Sequence, residues 1–417
     1  MLTFKTLLNH VEKHKRFVYG DGRLIKSGDK PVIEVAVYPR KNSTAICSQC
    51  QRPAPGYDLL PVRQFQYVPL WGIAVVLLYA MRRVNCTKCG VKVEKVPWAH
   101  GKSPLTRSYS WFLCVWARRL PWDEVATLFG TTWNRVYAAV QWAVDYGLAH
   151  RDLSGIKALG IDEVAYKKGH KYLTVVYQID QGVRRLLWIG RDRTEKTLDS
   201  FFDWFGKERS GLIGYVCTDM WEPYLKVVRQ CAVNAINILD RFHIMSNMNK
   251  KLDEVRRWET KVLKAQGIEI LKGSRWCFLK RPAKLTDKQC EKLKDLVGMN
   301  LRSVKAYLMK EDFQRFWEYT YPANAAKFLH QWCRRAMASR IEPMREMARS
   351  LRSHEDLLLN WFKAKKLYSS GVVEGLNNKI KTTTKKSYGF RTYAVLEVQL
   401  YHTLGDLPLP KTTHKFC

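Results

Sequence analysis

No stretch of this sequence stays apolar for long enough to cross a bilayer. The one extended hydrophobic run, Tyr67 to Met81, is interrupted by Pro69 and Gly72 and falls short of the roughly 20 residues a membrane helix needs. It reads instead as buried strand. The opening MLTFKTLLNHVEKHKR lacks the apolar core of a secretory signal. Acidic residues are scarce as well, 38 Asp and Glu against 71 Lys and Arg, and the resulting charge of +33 is spread along the chain. Such an excess points to a polyanion, most simply nucleic acid, whose phosphates release counterions as basic side chains neutralise them. A ribosome-associated or membrane-surface protein is the alternative that charge alone leaves open.

A disulfide framework is missing too. Several of the 11 cysteines, Cys114, Cys217, Cys231 and Cys277, stand alone, which implies a reducing interior. What is present argues for folding. Hydrophobic residues make up 46%, with 15 Trp, and 417 residues exceed one ordinary core, so several structural units are expected.

Four of the cysteines pair as C-S-Q-C (Cys47, Cys50) and C-T-K-C (Cys86, Cys89). Thiolates at i and i+3 in a tight turn take two corners of a tetrahedron, so two such knuckles suit one structural Zn²⁺ in a small β-rich unit. Redox-active thiols are the competing reading. From Pro121 to Gly147 the pattern is helix, turn, helix: Ala126 permits close approach, Gly130 suits a positive-φ turn, and Val136 packs the second helix back. A second helix starting near Thr132 would offer Trp133, Asn134 and Arg135 to a major groove. A plain helical hairpin is the alternative.

Apolar alternation then predicts strands near 157–166, 170–179 and 183–191, a helix at about 194–209, and short strands near 213–218 and 234–239. Three antiparallel strands followed by alternating helices and strands is the plan of an α/β ribonuclease H-like domain. Residues from 245 are helical in pattern, with Pro282, Pro322 and Pro343 as expected breaks.

Asp162 lies within the strand pattern ALGIDEVAY, where Asp packs poorly. Asp219 ends the apolar strand YVCTD, at the edge where α/β sheets place ligand-binding groups. At about 100° per residue, Glu374 shares one helix face with Asn377, Asn378, Lys381 and Lys385, while Val372, Val373, Leu376 and Ile380 form an opposing apolar stripe. Burying that stripe against the sheet would turn Glu374 toward the two aspartates. Three such acids repel unless cations neutralise them, and two Mg²⁺ or Mn²⁺ ions would do so while activating a water or 3′-hydroxyl for phosphoryl transfer. Lys379, Lys381, Lys385, Lys386 and Arg391, with Asn378, flank the third acid and are candidates for holding DNA phosphates; a solvated charged face is the plainer reading. Asp240 and His243 are candidates for contact with the metal site or DNA, or a helix cap with an inward histidine. Trp221 could stack on a base or pack in the core.

Together, GIDEVAYKKGHKY, TDMWEPY, ILDRFHI and SSGVVEGLNNKIKTTTKKSYGFR resemble the ISL3 family of bacterial and archaeal insertion-sequence transposases. The resemblance covers most of the chain. It implies a zinc-binding unit over 47–100 and a helix-turn-helix DNA-binding domain over 101–150. A ribonuclease H-like catalytic domain would follow over 151–244 and 369–405, with a helical insertion at 245–368. Residues 1–46 form an N-terminal extension without an assigned role, and 406–417 a loose tail. By the same likeness Asp162, Asp219 and Glu374 are the catalytic, metal-binding acids, and Cys47, Cys50, Cys86 and Cys89 hold zinc. The implied partners are double-stranded DNA, as terminal inverted repeats and target, and a second copy of the chain. The implied location is the cytoplasmic nucleoid, with no membrane association. A structure-selective nuclease of the same fold and a transposase-derived regulator without catalysis are the other readings.

Overall fold

The computed structural model describes residues 3–167, 171–368, 371–387 and 389–410. Parts of two motifs quoted above, at 168–170, 369–370 and 388, and the tail from 411 lie outside the described residues. The chain forms two compact units, Met1–Asp152 with Thr383–Cys417, and Leu153–Thr382.

The first unit begins with α1 (Phe4–Val11) and a five-stranded sheet of β1 (Phe17–Ser27), β2 (Lys30–Pro39), β3 (Gly56–Leu70), β4 (Ile73–Cys86) and β5 (Gly90–Val93). Its order is β1-β2-β4-β3, with β5 also on β4. The apolar run Tyr67 to Met81 is therefore not one strand. The chain reverses at Trp71 and Gly72, with φ of 50° and 81°, and pairs Leu70 with Ile73. Positive φ at both central positions is the two-residue hairpin geometry whose twist matches the flanking strands. Residues before the first cysteine share this sheet, because β2 runs parallel to β4 with Val35 opposite Leu77. Trp98 fills the core, edge-on to Phe17 at 4.8 Å and Tyr79 at 5.3 Å.

Helices α2 (Arg107–Ala117), α3 (Trp122–Leu128) and α4 (Trp133–His150) follow. Gly130 takes φ 60° between α3 and α4, and Ala126 and Val136 are buried.

The second unit carries β6 (Ala158–Lys167), β7 (Lys171–Gln178), β8 (Arg185–Arg191), α5 (Glu195–Phe205), α6 (Lys207–Gly211), β9 (Tyr215–Thr218), α7 (Glu222–Cys231) and β10 (Ile236–Leu239). The single helix expected at 194–209 is broken at Gly206, whose φ of 89° stops α5 and starts α6. The sheet order is β10-β9-β6-β7-β8, antiparallel across β6, β7 and β8 and parallel across β6, β9 and β10. Leu159, Ile161, Val176 and Val216 pack on one face against Leu198, Phe201, Phe205, Tyr224 and Val228 of α5 and α7.

Seven helices come next: α8 (Arg241–Ala265), α9 (Arg275–Leu279), α10 (Asp287–Val297), α11 (Arg302–Gln314), α12 (Pro322–Ala338), α13 (Glu342–Ser353) and α14 (Glu355–Lys363). Pro322 and Pro343 stand in the first turns of α12 and α13 and Pro282 opens a short 3-10 turn, where a missing N–H costs no helical bond. Phe313, Phe316, Trp332, Met344 and Phe362 share one core with Ile244 and Leu239. The edge strand β10 is covered, since the Asn360 amide of α14 donates to the Asn237 carbonyl at 2.8 Å.

The last helices are α15 (Gly371–Lys386) and α16 (Tyr393–Leu404). The segment after α16 is not loose through residue 410. A Cβ on Gly147 of α4 would lie 2.5 Å from that of Leu407, so the glycine leaves a notch in which Leu407 is buried.

Candidate functional site

Strand register builds the site. Gly160 of β6 pairs with Cys217 of β9, and Thr218 of β9 pairs with Leu239 of β10. Continuing that register puts Asp162, Asp219 and Asp240 level on three neighbouring strands. Alternation sends Leu159 and Ile161 into the α5 and α7 core, so Gly160 and Asp162 face the other side. There the three aspartates, His243 and Val373 line one narrow depression.

Each aspartate is fixed by a backbone N–H that follows it. Asp162 Oδ1 accepts from Glu163 N at 2.8 Å, Asp219 Oδ1 from Trp221 N at 3.1 Å, and Asp240 Oδ1 from Phe242 N at 2.6 Å. Asp240 thereby caps α8, with His243 Nδ1 3.3 Å from its other oxygen. Asp240 is thus the helix cap, and both it and His243 line the pocket. Arg193 bridges two acids, its Nε 2.5 Å from Glu163 Oε2 and its Nη2 3.7 Å from Asp219 Oδ2. Its guanidinium lies 4.2 Å from the Trp221 ring, which also packs on Tyr224.

Burial pushes the Asp162 carboxyl up to about 6; His243 and the Glu163 N–H oppose this, while Asp219 and Asp240 add to it. Burial likewise pushes Glu163 up to about 7 against the pull of Arg193. Withdrawn from water and crowded by like charge, these oxygens are disposed to accept a hard divalent cation, and carboxylates are the donors such ions prefer.

Helix α15 sits on this face. A Cβ added to Gly160 would lie 2.4 Å from Val373 Cγ2. Asn377 Nδ2 donates to Asp162 Oδ2 at 2.6 Å, and Tyr177 OH donates to Asn377 Oδ1 at 2.7 Å. Glu374, one turn before Asn377, is exposed and has no hydrogen bond or ion pair with any described residue. Asn378, Lys379, Lys381, Lys385, Lys386 and Arg391 are exposed too, and the Lys386 ammonium donates to the Arg119 carbonyl. Glu163, Arg193 and Tyr177 join the site without any mark in the sequence pattern that singles them out. Asn377 is visible there as part of the polar face of its helix, whereas nothing local distinguishes Arg193.

In the first unit the sulfurs of Cys47, Cys50, Cys86 and Cys89 lie within 4.8 Å of one another, with Cys50 and Cys86 3.5 Å apart. Ligands about a tetrahedral zinc stand about 3.8 Å apart, so the four fit one ion. Each knuckle ends in a residue of positive φ, Gln51 at 63° and Gly90 at 70°, which turns the chain back toward its first sulfur. The Lys88 backbone N–H pulls the Cys86 thiol down to about 7, while burial pushes Cys89 up to about 12.

Thr132 is the exposed N-cap of α4. Trp133 stacks on Tyr137 at 5.5 Å, Asn134 is exposed, and Arg135 donates to the Gln66 side chain at 3.0 Å. No helix among the described residues is long and apolar enough to cross a membrane.

The sequence pattern of a transposase family, the ISL3 type with a DDE domain, matches residues 159–400. The chain is similar to the transposase for insertion sequence element IS1557 of Mycobacterium tuberculosis, 29% identical over 413 residues covering 92% of this chain and 91% of that one. It is also similar to the transposase for insertion sequence element IS1001 of Bordetella parapertussis, 27% identical over 350 residues, 83% of this chain and 85% of the other.

Proposed function

This chain belongs to the ISL3 family of insertion-sequence transposases, and from that premise we propose that it binds the terminal inverted repeats of its element and catalyses metal-dependent DNA cleavage and strand transfer. The observation that carries the chemistry is the level register of Asp162 and Asp219 on β6 and β9, facing a pocket over which α15 is docked. Asp162, Asp219 and Glu374 are the catalytic acids in this reading, with Asp240 and His243 beside them. The sheet order, three antiparallel strands extended by two parallel ones, supports a ribonuclease H-like catalytic domain beginning over 151–244; in this reading the helices of 245–368 interrupt it, and of the closing part expected over 369–405 the residues from Thr383 group with the first unit.

Bound Mg²⁺ or Mn²⁺ would supply Lewis-acid activation of a water or 3′-hydroxyl and charge stabilisation at the leaving oxygen. The protein's own groups do the rest. The backbone caps hold the aspartates rigid, so their oxygens need little rearrangement to act as ligands. Arg193 offsets part of the negative charge next to the site. The exposed amide of Asn378 and ammonium groups of Lys379 and Lys381 draw the phosphate backbone toward acids that would otherwise repel it.

One structural Zn²⁺ on Cys47, Cys50, Cys86 and Cys89 would fix the knuckles of a zinc-binding unit over 47–100. Helices α3 and α4 within 101–150 would read DNA as a helix-turn-helix, with Thr132, Trp133 and Asn134 at the groove and Arg135 braced by Gln66. Paired, symmetric ends favour a homodimer on DNA.

A strand-transfer assay tests this. The full chain is incubated with a duplex from the DNA flanking its reading frame, a supercoiled plasmid and Mg²⁺. Joined products that vanish with chelator are expected. Hydrolysis without joining would favour a nuclease, and binding without either a regulator.

A further inference from the structure

Asp162 Oδ2 receives one amide proton from Asn377 and the Asn377 carbonyl receives one hydroxyl proton from Tyr177, at 2.6 and 2.7 Å. The orientation of this chain follows from chemistry. An ionised carboxylate only accepts, so the amide must turn its NH₂ toward Asp162 and its oxygen toward Tyr177, and the tyrosine must donate. Tyr177 is fully buried and Asn377 nearly so, and burial holds the phenol well above its ordinary range, so the proton stays on the oxygen. Tyr177 lies opposite Gly160 in the sheet, and Gly160 is where Val373 closes on β6. Two bonds and one close contact therefore meet within a single turn of α15. Glu374 lies inside that turn, three residues before Asn377, about 4.5 Å along the axis and 60° around it.

We propose that Tyr177 and Asn377 are positioning residues that act as one unit: the hydroxyl orients the amide, and the amide docks α15 on Asp162, which fixes where the Glu374 backbone stands relative to the aspartates. Neither residue touches the reacting phosphate. The inference rests on the reading of Asp162 and Glu374 as catalytic acids, and its physical part, the seating of α15, can be measured without catalysis. Without the hydroxyl the Asn377 amide is free to flip and turn its oxygen toward the carboxylate, so removing either partner loosens the same docking.

The test compares full-length Tyr177→Phe, Asn377→Ala and the double variant with the unaltered chain. Two readouts are used, hydrogen–deuterium exchange of Val373–Ile380 without DNA and Mn²⁺-dependent cleavage of the flanking duplex. Tyr177→Phe keeps the ring and its packing, so it guards against a variant that fails to fold. Faster exchange in all three variants is expected, with cleavage reduced about tenfold in Asn377→Ala, which loses a hydrogen bond to a charged group, and severalfold in Tyr177→Phe, which loses a neutral one. The double variant should lose little more than Asn377→Ala, because coupled groups are non-additive. Unchanged exchange, or a double-variant loss equal to the product of the two single losses, would overturn the proposal. Asp162→Asn serves as the control: cleavage that survives it refutes the assignment of Asp162, while exchange still decides whether the pair seats the helix.

Discussion

Val373 rests on Gly160 so closely that a methyl group on the glycine would meet it at 2.4 Å. The sheet and the helix that carries Glu374 approach at this point because β6 has no side chain there. Gly160→Ala should force α15 outward, costing about 1–3 kcal/mol as an overpacked core site does, and it should depress cleavage without weakening DNA binding. Thermal unfolding and a cleavage assay on one preparation check both. Unchanged stability would mean that the packing here is slack.

The four-cysteine cluster makes a separate prediction. Cys86→Ser should lose bound zinc by metal analysis and lower the unfolding temperature, since structural zinc contributes folding energy. Stoichiometric zinc retained in this variant would count against these ligands.

Protons should act on the first unit through His402. This side chain is buried, its Nε2 is 3.1 Å from Cys114 Sγ, and burial, aided by the charge of Arg118, pushes its pKa down to about 3. In the unfolded chain a histidine titrates near 6.5. Below that value the unfolded state takes up a proton the folded state refuses, so stability is full above about pH 7 and falls as pH drops toward 3. The loss is about 2 kcal/mol at pH 5. His402→Leu should flatten that acid limb in unfolding experiments between pH 5 and 7. An identical slope would show that other groups govern it.

Lys379 and Lys381 are exposed on α15. If they meet phosphates, replacing each with Gln should reduce the slope of log affinity against log salt by about 0.9 for every phosphate no longer neutralised, irrespective of DNA sequence. A slope that does not change would leave them as solvated surface.

Much of this is legible in the sequence because it rests on local rules. Alternation marks the strands of the second unit, i and i+3 cysteines mark the knuckles, and Gly130 marks the turn between α3 and α4. The sheet pairing of residues 17–39 is not legible, since β2 joins β4 across the intervening hairpin. The hairpin at Trp71–Gly72 escapes notice because apolar residues flank it on both sides and hide the turn. Asp162 and Asp219 stand out as acids among apolar neighbours. Arg193 and Tyr177 do not, because their roles come from what strand register and helix docking bring to them. Glu374 is marked by its helix face, yet the neighbour of Asp162 on that helix is Asn377.

The most direct measurement is cleavage of the element's own end in Mg²⁺ by Asp162→Asn, Asp219→Asn and Glu374→Gln, each isosteric with the residue it replaces, alongside DNA affinity in the same buffer. All three should fall to background cleavage while binding DNA as tightly as the unaltered chain. Any one of them cutting at the full rate would contradict its place among the catalytic acids, and full cleavage by both aspartate variants would remove the β6 and β9 strand ends as the seat of the chemistry.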